Sequence, residues 1–502
     1  MLQKLPVEIL DLIVENIHHQ DVLHLSQTNK TLYRWLHPKL YHGNVMDRAP
    51  TRYSIMEQTD NLNEIIKMNN DRLQPEGGSR IPLGSISSIY GLKLFFKNLV
   101  ENPEYCKYIK GLIFNGNSPD VPDLEIYGYL RQCIPLMSEL RVFHWYKQGM
   151  KLPGDLFSEN HRLEELRGYF DFSCNKHSQN LLSLELCDVN DLTDLKNISM
   201  DSLKKLSIGS KQKSINLSTM LQATSKQMKL KELALKNIDL CHDDVTRLSP
   251  ITDWNMLQSL TIDDCSDSRF DMNTHSISKS FLSGLKPYVQ SLKQLNLALN
   301  DFQDSHHLFS FLQDMTLSKL NIEVDHNVNH NISFFTSTLL SCLNPDALTH
   351  LEFKVRFGRS SSSSKDKMFD IYSLNKLREF TKLQFLQLPI IESDITNLLA
   401  FIPKNVECIS FSCKEDESEQ QFSSISSLIH PEYWQLATIN VISRDEKENF
   451  PEIINKYQQK LPKLKWVNFN KNNNEYTYEI NNKSSIYRES LSFKTIIRTL
   501  HP

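Results

Sequence analysis

Glycine is scarce in this chain. The 502 residues contain 14 of it, roughly 3% against a usual ~7%. That scarcity excludes a collagen-like or glycine-linker architecture. A phosphate-cradling loop is excluded as well, since no G-x-x-x-x-G-K or G-x-G-x-x-G occurs. No apolar run approaches the ~20 residues that span a bilayer. The first apolar stretch is interrupted by Glu8, Asp11 and Glu15, unlike the unbroken core of a signal peptide. Nine cysteines, an odd number, run from Cys106 to Cys413 with no C-x-x-C. That usage suits reduced thiols in a cytoplasmic or nuclear protein. Lys and Arg number 56 and Asp and Glu 60, a formal charge of −4. So small an imbalance makes no strong field, and neither nucleic acid nor a membrane is expected as a partner.

The hydrophobic share is 40% and the charged share 23%, a globular composition with ample apolar surface to bury. Residues 1–42 hold three short helical patterns. Leu5-Pro6 opens the first, because proline tolerates the first helical turn. Ile9, Ile13 and Ile17 recur every fourth residue, and Leu10 and Val14 widen the stripe. Asp21 is the expected N-cap of a second helix, and Asn29 of a third holding Leu32, Tyr33, Trp35 and Leu36. Pro38 is expected to end it. So short a segment does not close on itself easily, and needs either a partner or the following chain to cover it.

The run Leu5-Pro6-Val7-Glu8-Ile9-Leu10, then Asp21-Val22-Leu23-His24-Leu25-Ser26, and the closing Pro38-Lys39-Leu40-Tyr41, resembles an F-box. The stretch Gln27-Thr28-Asn29-Lys30 departs from that family's usual run. The resemblance implies three helices that dock on the adaptor subunit of an SCF-type ubiquitin ligase, and through it on a cullin. Carried over by position, Leu5, Pro6, Ile9, Leu10, Ile13, Leu23, Leu25 and Leu36 would fill that interface, with Glu8 at its rim.

Residues 47–91 are turn-rich and polar, with a short helix predicted at about 61–68. Leu92, Leu94, Phe95, Phe96, Leu99 and Val100 then form an amphipathic pattern stopped by Asn102-Pro103. A helix, Asn-Pro and a strand in that order resemble the start of the repeat array in fungal F-box proteins.

From there Leu-x-x-Leu-x-Leu recurs. Strict instances begin at Leu181, Leu203, Leu230, Leu257, Leu292, Leu317, Leu348 and Leu383. Random order would give about three in the chain. Looser ones begin at Ile109, Leu140, Leu163, Val406, Leu436 and Leu464. The mean step is about 27 residues, inside the ~20–29 of leucine-rich repeats. The anchors are alternate residues of a short strand that point inward. Each strand is expected to pair in parallel with the next, and one repeat cannot bury its apolar face alone. Leu217–Leu221 and Phe281–Leu285 have helical spacing and suit the return segments. The array resembles the irregular leucine-rich repeats of F-box proteins. Cys265, Asn300 and Asn472 stand where that family places a turn-bonding Asn or Cys, while Lys211, Ile238, Asp325 and Ile391 replace it elsewhere.

The expected class is therefore α/β: a three-helix F-box (1–46), a connector (47–91), a helical cap (92–108), a leucine-rich-repeat solenoid of about fourteen units (109–490) and a tail (491–502). Its curved parallel sheet would lie inside and its helices outside.

No catalytic constellation stands out, and no cofactor or metal is expected. His326 and His330 sit in a polar, turn-like stretch better suited to a loop than to a metal. Cys241-His242-Asp243-Asp244 suits an Asp-capped helix start rather than a nucleophile. Ser360–Ser364 reads as a flexible insertion, and Lys414–Glu419 as a solvated loop. The functional surface is expected on the outward strand positions. These include Arg167, Tyr169, Ser183, Glu185, Lys205, Ser207, Glu232, Lys236, Thr261, Asp263, Gln294, Asn296, Glu323, His350, Glu352, Phe385, Gln387, Trp466 and Asn468. The mixture suits a protein target better than a phosphate backbone. Phe385 and Trp466 are either interface anchors or partly buried side chains. The reading is a non-catalytic substrate-recognition subunit. An interaction scaffold outside a complete ligase is one alternative; another, disfavoured by the near-neutral charge, is a nucleic-acid- or transport-associated leucine-rich-repeat protein in which residues 1–42 are merely a cap.

Overall fold

In a computed structural model, the described residues are 6, 9–10, 13–14, 19–41, 43–46, 83–86, 89–114, 123–147, 149–172, 181–189, 201–210, 217, 227–250, 252–266, 270–271, 276–277, 279–299, 305–325, 332–356, 371–388, 402–412, 438–443, 465–471, 474–481 and 484–487. The chain divides into two compact units, residues 1–230 with 248–253, and residues 231–247 with 254–502.

The first unit begins with the helical head. Ile9 and Leu10 N–H both donate to the Pro6 carbonyl at 3.1 Å, opening the first turn. The second helix is His19–Gln27, so Asp21 lies inside its first turn rather than at its cap. There its carboxylate still meets the positive end of the helix dipole. Asn29 does cap the third helix, Lys30–Leu36, its Oδ1 accepting from Thr31 N–H at 2.7 Å. The helix stops at Leu36, with His37 as its C-cap, just before Pro38 as expected. The path continues as a 3₁₀ turn over His37–Tyr41, where the missing N–H of proline is tolerated. Val14, Val22, Leu32 and Leu36 make the head's core, with Leu25, Trp35 and Leu40 against it.

Its strands are β1 (Gly43–Met46), β2 (Leu83–Ile86), β3 (Gly111–Phe114), β4 (Val142–Trp145), β5 (Leu152–Pro153), β6 (Glu165–Gly168), β7 (Phe170–Asp171), β8 (Ser183–Val189) and β9 (Lys205–Ser210). The main sheet is parallel, in the order β2-β1-β3-β4-β6-β8-β9. β5 and β7 form a small parallel pair beside it. The sheet takes in residues 43–46 and 83–86, which lie before the first repeat expected at Ile109. Their Gly-Asn-Val-Met and Leu-Gly-Ser-Ile runs carry no repeat signature, and only the pairing reveals them.

The second unit holds β10 (Glu232–Lys236), β11 (Ser259–Asp263), β12 (Phe270–Asp271), β13 (Ser276–Ile277), β14 (Gln294–Leu299), β15 (Lys319–Asp325), β16 (His350–Arg356), β17 (Phe385–Gln387), β18 (Cys408–Ser412), β19 (Thr438–Ser443) and β20 (Trp466–Lys471). Apart from the antiparallel pair β12–β13, these pair in parallel in chain order. β21 (Asn474–Asn481) and β22 (Ser484–Tyr487) then add antiparallel to β20, so the parallel ladder stops there.

The anchors stand in register. Leu112, Phe143, Leu166, Leu184 and Leu206 form one column in the first unit. Leu233, Leu260, Leu295, Leu320, Leu351, Leu386, Ile409, Ile439 and Val467 form its counterpart in the second. These are the second anchors of all fourteen expected frames, the loose ones included. Each frame therefore supplies one strand to a parallel ladder. The same two backbone bonds recur at successive steps. Arg141 and Val142 N–H both donate to Lys110 C=O (2.8 and 3.1 Å), as Gln384 and Phe385 donate to Thr349 C=O (2.9 and 3.1 Å).

Return segments fill the other side. Phe281–Leu285 is a helix, as its spacing predicts, while Leu217–Leu221 lies largely outside the described residues. Helices Ser305–Leu312 and Ile332–Cys342 follow. Phe309 meets Phe335 at 5.2 Å between ring centroids, and Phe335 stacks on Phe353 of β16 at 5.8 Å. Cys265 fills its turn as its repeat position predicts. Its sulfur accepts from Ile238 N–H at 3.4 Å and lies 3.4 Å from the Leu235 carbonyl. Burial pushes this thiol up to about 12.

Candidate functional site

Side chains alternate along a strand, so the column between two anchor columns faces outward. In the first unit that column reads Ile113, His144, Arg167, Glu185 and Ser207 across β3, β4, β6, β8 and β9. The neighbouring row holds Glu165 and Ser183. Strands ~4.8 Å apart bring these polar groups within bonding reach.

They form a network. His144 Nε2 lies 2.7 Å from Glu165 Oε1. The same oxygen is 2.9 Å from Arg167 Nε, and Arg167 Nη1 is 3.7 Å from Glu185 Oε2. Tyr146 donates its hydroxyl to Glu185 at 3.3 Å. Burial first, and then the Glu185 carboxylate, hold the Tyr146 hydroxyl well above its ordinary pKa. The side chains of His144 and Glu165 are only 3% and 8% exposed, Glu185 27%. The cluster is thus closed at His144 and opens at Glu185.

In the second unit the outward rows run more openly. Asn296 Nδ2 donates to Thr261 Oγ1 at 3.1 Å, and Lys236 Nζ pairs with Asp263 at 3.0 Å. On β16, His350 Nε2 and Lys354 Nζ flank Glu352, at 3.3 and 2.7 Å from its two carboxylate oxygens. Burial raises that carboxyl, but the hydrogen bonds and positive charge beside it prevail and bring it down to about 2. The His350 ring stacks on Phe385 at 4.0 Å between centroids.

Most expected face residues lie at the surface or half-buried. Lys236 is exposed, and Arg167, Tyr169, Glu185, Lys205, Glu232, Asp263, Asn296 and His350 are half-buried. Phe385 corrects the expectation of an interface anchor. It is 1% exposed and belongs to a buried cluster with Cys408. Ser410, the next outward position on β18, is buried too. Among the described side chains, the accessible part of the face in this unit is therefore on β10–β16. The Trp466 side chain lies outside the described residues. His144, Glu165 and Lys354 were not singled out from the sequence. The signal was available for Glu165 and Lys354, each an even number of residues from an outward position named on its own strand; no outward position of β4 pointed to His144.

In the head, Ile9 (43%) and Leu23 (40%) are exposed, Pro6 is exposed, and Ile13 and Leu25 are half-buried. Leu36 and Leu10 are buried, Leu36 in the head's own core, which removes them from an exposed interface. Leu5 and Glu8 lie outside the described residues.

Cys241-His-Asp-Asp is a helix start, with Asp244 Oδ2 accepting from Cys241 N–H at 2.9 Å. His326, His330, Ser360–Ser364 and Lys414–Glu419 lie outside the described residues. Among the described residues, no group of three or more metal-ligating side chains converges, and no helix is long and apolar enough to cross a membrane.

No family model and no curated protein matches the chain. Among solved structures, it is similar to the leucine-rich repeat-containing protein LegL7 from Legionella pneumophila. That match has 14% identity and a TM-score of 0.35, over 64% of this chain and 90% of that one. It is also similar to the LRR protein LIC12759 of Leptospira interrogans, at 15% identity and a TM-score of 0.26, over 74% and 97%. At such scores the likeness adds nothing to what the strand register shows.

Proposed function

We propose that this chain is a non-catalytic substrate-recognition subunit of an SCF-type ubiquitin ligase. The F-box-like head would dock on the adaptor, the adaptor on a cullin, and the outward strand face would hold a target protein. Such a subunit acts by proximity, raising the target's effective concentration near the ubiquitin-charged enzyme. It needs no cofactor, and its setting would be the cytoplasm, the nucleus or both.

One observation carries the reading. The head keeps Ile9 and Leu23 exposed beside a completed core, and its sequence carries the Leu-Pro-x-Glu-Ile-Leu start of the family it resembles. Apolar residues left outside a closed core are what a docking surface requires. The polar face of β10–β16 supports a protein target, because its charges alternate in sign rather than stack as a phosphate reader's would.

The test is adaptor capture by the full chain, compared with an Ile9→Glu and Leu23→Glu double variant. Loss of capture with unchanged thermal unfolding is expected. Undiminished capture would remove the assigned interface. An interaction scaffold outside the ligase would instead retain the adaptor and never bring down a cullin.

A further inference from the structure

Resting on the target-holding role given above to the strand face, we propose that β11, β14, β15 and β16 bind the main chain of an extended segment of the target. Thr261, Asn296, Asn321 and Glu352 stand in one row, each in register with the next. All four are half-buried. They are also chemically ordered. Asn296 Nδ2 donates to Thr261 Oγ1 at 3.1 Å. The Thr261 hydroxyl therefore keeps its own O–H to give, and Asn296 keeps its Oδ1 to accept. At Asn321 the oxygen is buried with no partner among the described residues, which leaves Nδ2 as the outer end. The carboxylate of Glu352 accepts only. His350 and Lys354 hold it at 3.3 and 2.7 Å, and 20% of its side chain stays exposed. From β11 to β16 the row thus runs donor, acceptor, donor, acceptor.

A peptide main chain offers the complementary alternation of C=O and N–H. The spacing agrees as well. Neighbouring strands lie ~4.8 Å apart, so the two donors, like the two acceptors, are about 9.6 Å apart. A polyproline II segment has three residues per turn and rises ~3.1 Å per residue, so about 9.3 Å brings the same main-chain group back to the same side. Its N–H and C=O groups make no internal hydrogen bonds and can pair with side chains. A segment crossing the strands would set carbonyls over Thr261 and Asn321, and N–H groups over Asn296 and Glu352. An α-helix spends those groups internally and cannot answer the row. Charge points the same way. Glu352 is the one ionised member, and Lys354 beside it offsets that charge. The row therefore suits neutral peptide groups and not a phosphate.

The experiment selects short linear peptides from a random library on the full chain and retains those weakened by Asn321→Leu. Each is then N-methylated one amide at a time. Neither adaptor nor cullin is present, so failure here and failure of adaptor capture are separate results. The expected weakening in the variant is about three- to tenfold, the worth of one hydrogen bond. In the scan, binding should be lost at every third residue, where the methyl removes an N–H from Asn296 or Glu352. No peptide weakened by the variant, or a scan without three-residue recurrence, would overturn the proposal. If the variant does not fold, every selected peptide is scanned and the recurrence decides alone.

Discussion

At Gly168 an added methyl carbon would lie 1.8 Å from the carbonyl oxygen of Trp145, and φ is +122°. No side chain fits that approach, and the conformation belongs to glycine. Gly168→Ala should cost on the order of 3 kcal/mol, read as a lowered urea midpoint. Glu165 meets the opposite constraint. It holds both His144 and Arg167, so Glu165→Ala removes the nearer partner of a half-buried guanidinium and leaves it to Glu185, 3.7 Å away. A loss of about 1.5–3 kcal/mol is expected in the same unfolding assay. Glu352 adds a pH dependence. Its carboxyl titrates near 4.5 when unfolded and at about 2 in the fold. The stabilisation is complete above pH 4.5 and disappears as pH falls toward 2. Acid unfolding of Glu352→Gln should be flatter than wild type across that window.

Among the elements, an aromatic series joins the head to the sheet. His37 lies 4.7 Å from Tyr33, 5.3 Å from Tyr41 and 5.1 Å from Tyr105, ring to ring. Tyr41 stacks on Tyr105 and on Phe95, and accepts at its hydroxyl from Asn98 Nδ2 at 2.7 Å. Phe96 continues the series to Phe114 of β3 at 6.2 Å. Such contacts are each worth about 0.5–1.5 kcal/mol beyond burial, enough together to hold the head in place. Tyr41→Ala should speed hydrogen exchange in Lys30–Leu36 and leave β8 and β9 unchanged. His37 makes the clasp pH-sensitive. Burial lowers its pKa below 6.5, so the unfolded state binds a proton first and the clasp weakens as pH falls through that value. The same exchange measurement should show the head loosening in mild acid.

The repeats were legible because a strand period of two and a recurring anchor overdetermine the frame. Even the loose instance at Leu163, whose third anchor is Gly168, stands in register. β1 and β2 were not legible, since four-residue runs carry too little pattern. Nor was cover over the outward face. Alternation tells which way Phe385 points, and not what lies above it. In the head, helical periodicity puts Leu10, Leu36, Ile9 and Leu23 among its apolar stripes alike. Only the packing separates the buried pair from the exposed one.

The whole molecule carries two kinds of surface, an apolar one on the head and a polar one on the strands. Reversing charge at Lys236 and Asp263 should weaken target capture and leave adaptor binding intact. The decisive measurement is native mass spectrometry of the full chain mixed with purified adaptor and cullin. The account predicts one ternary complex with a single copy of each, lost in the Ile9→Glu and Leu23→Glu double variant. A chain that stays alone, or that takes up the adaptor without the cullin, would contradict it.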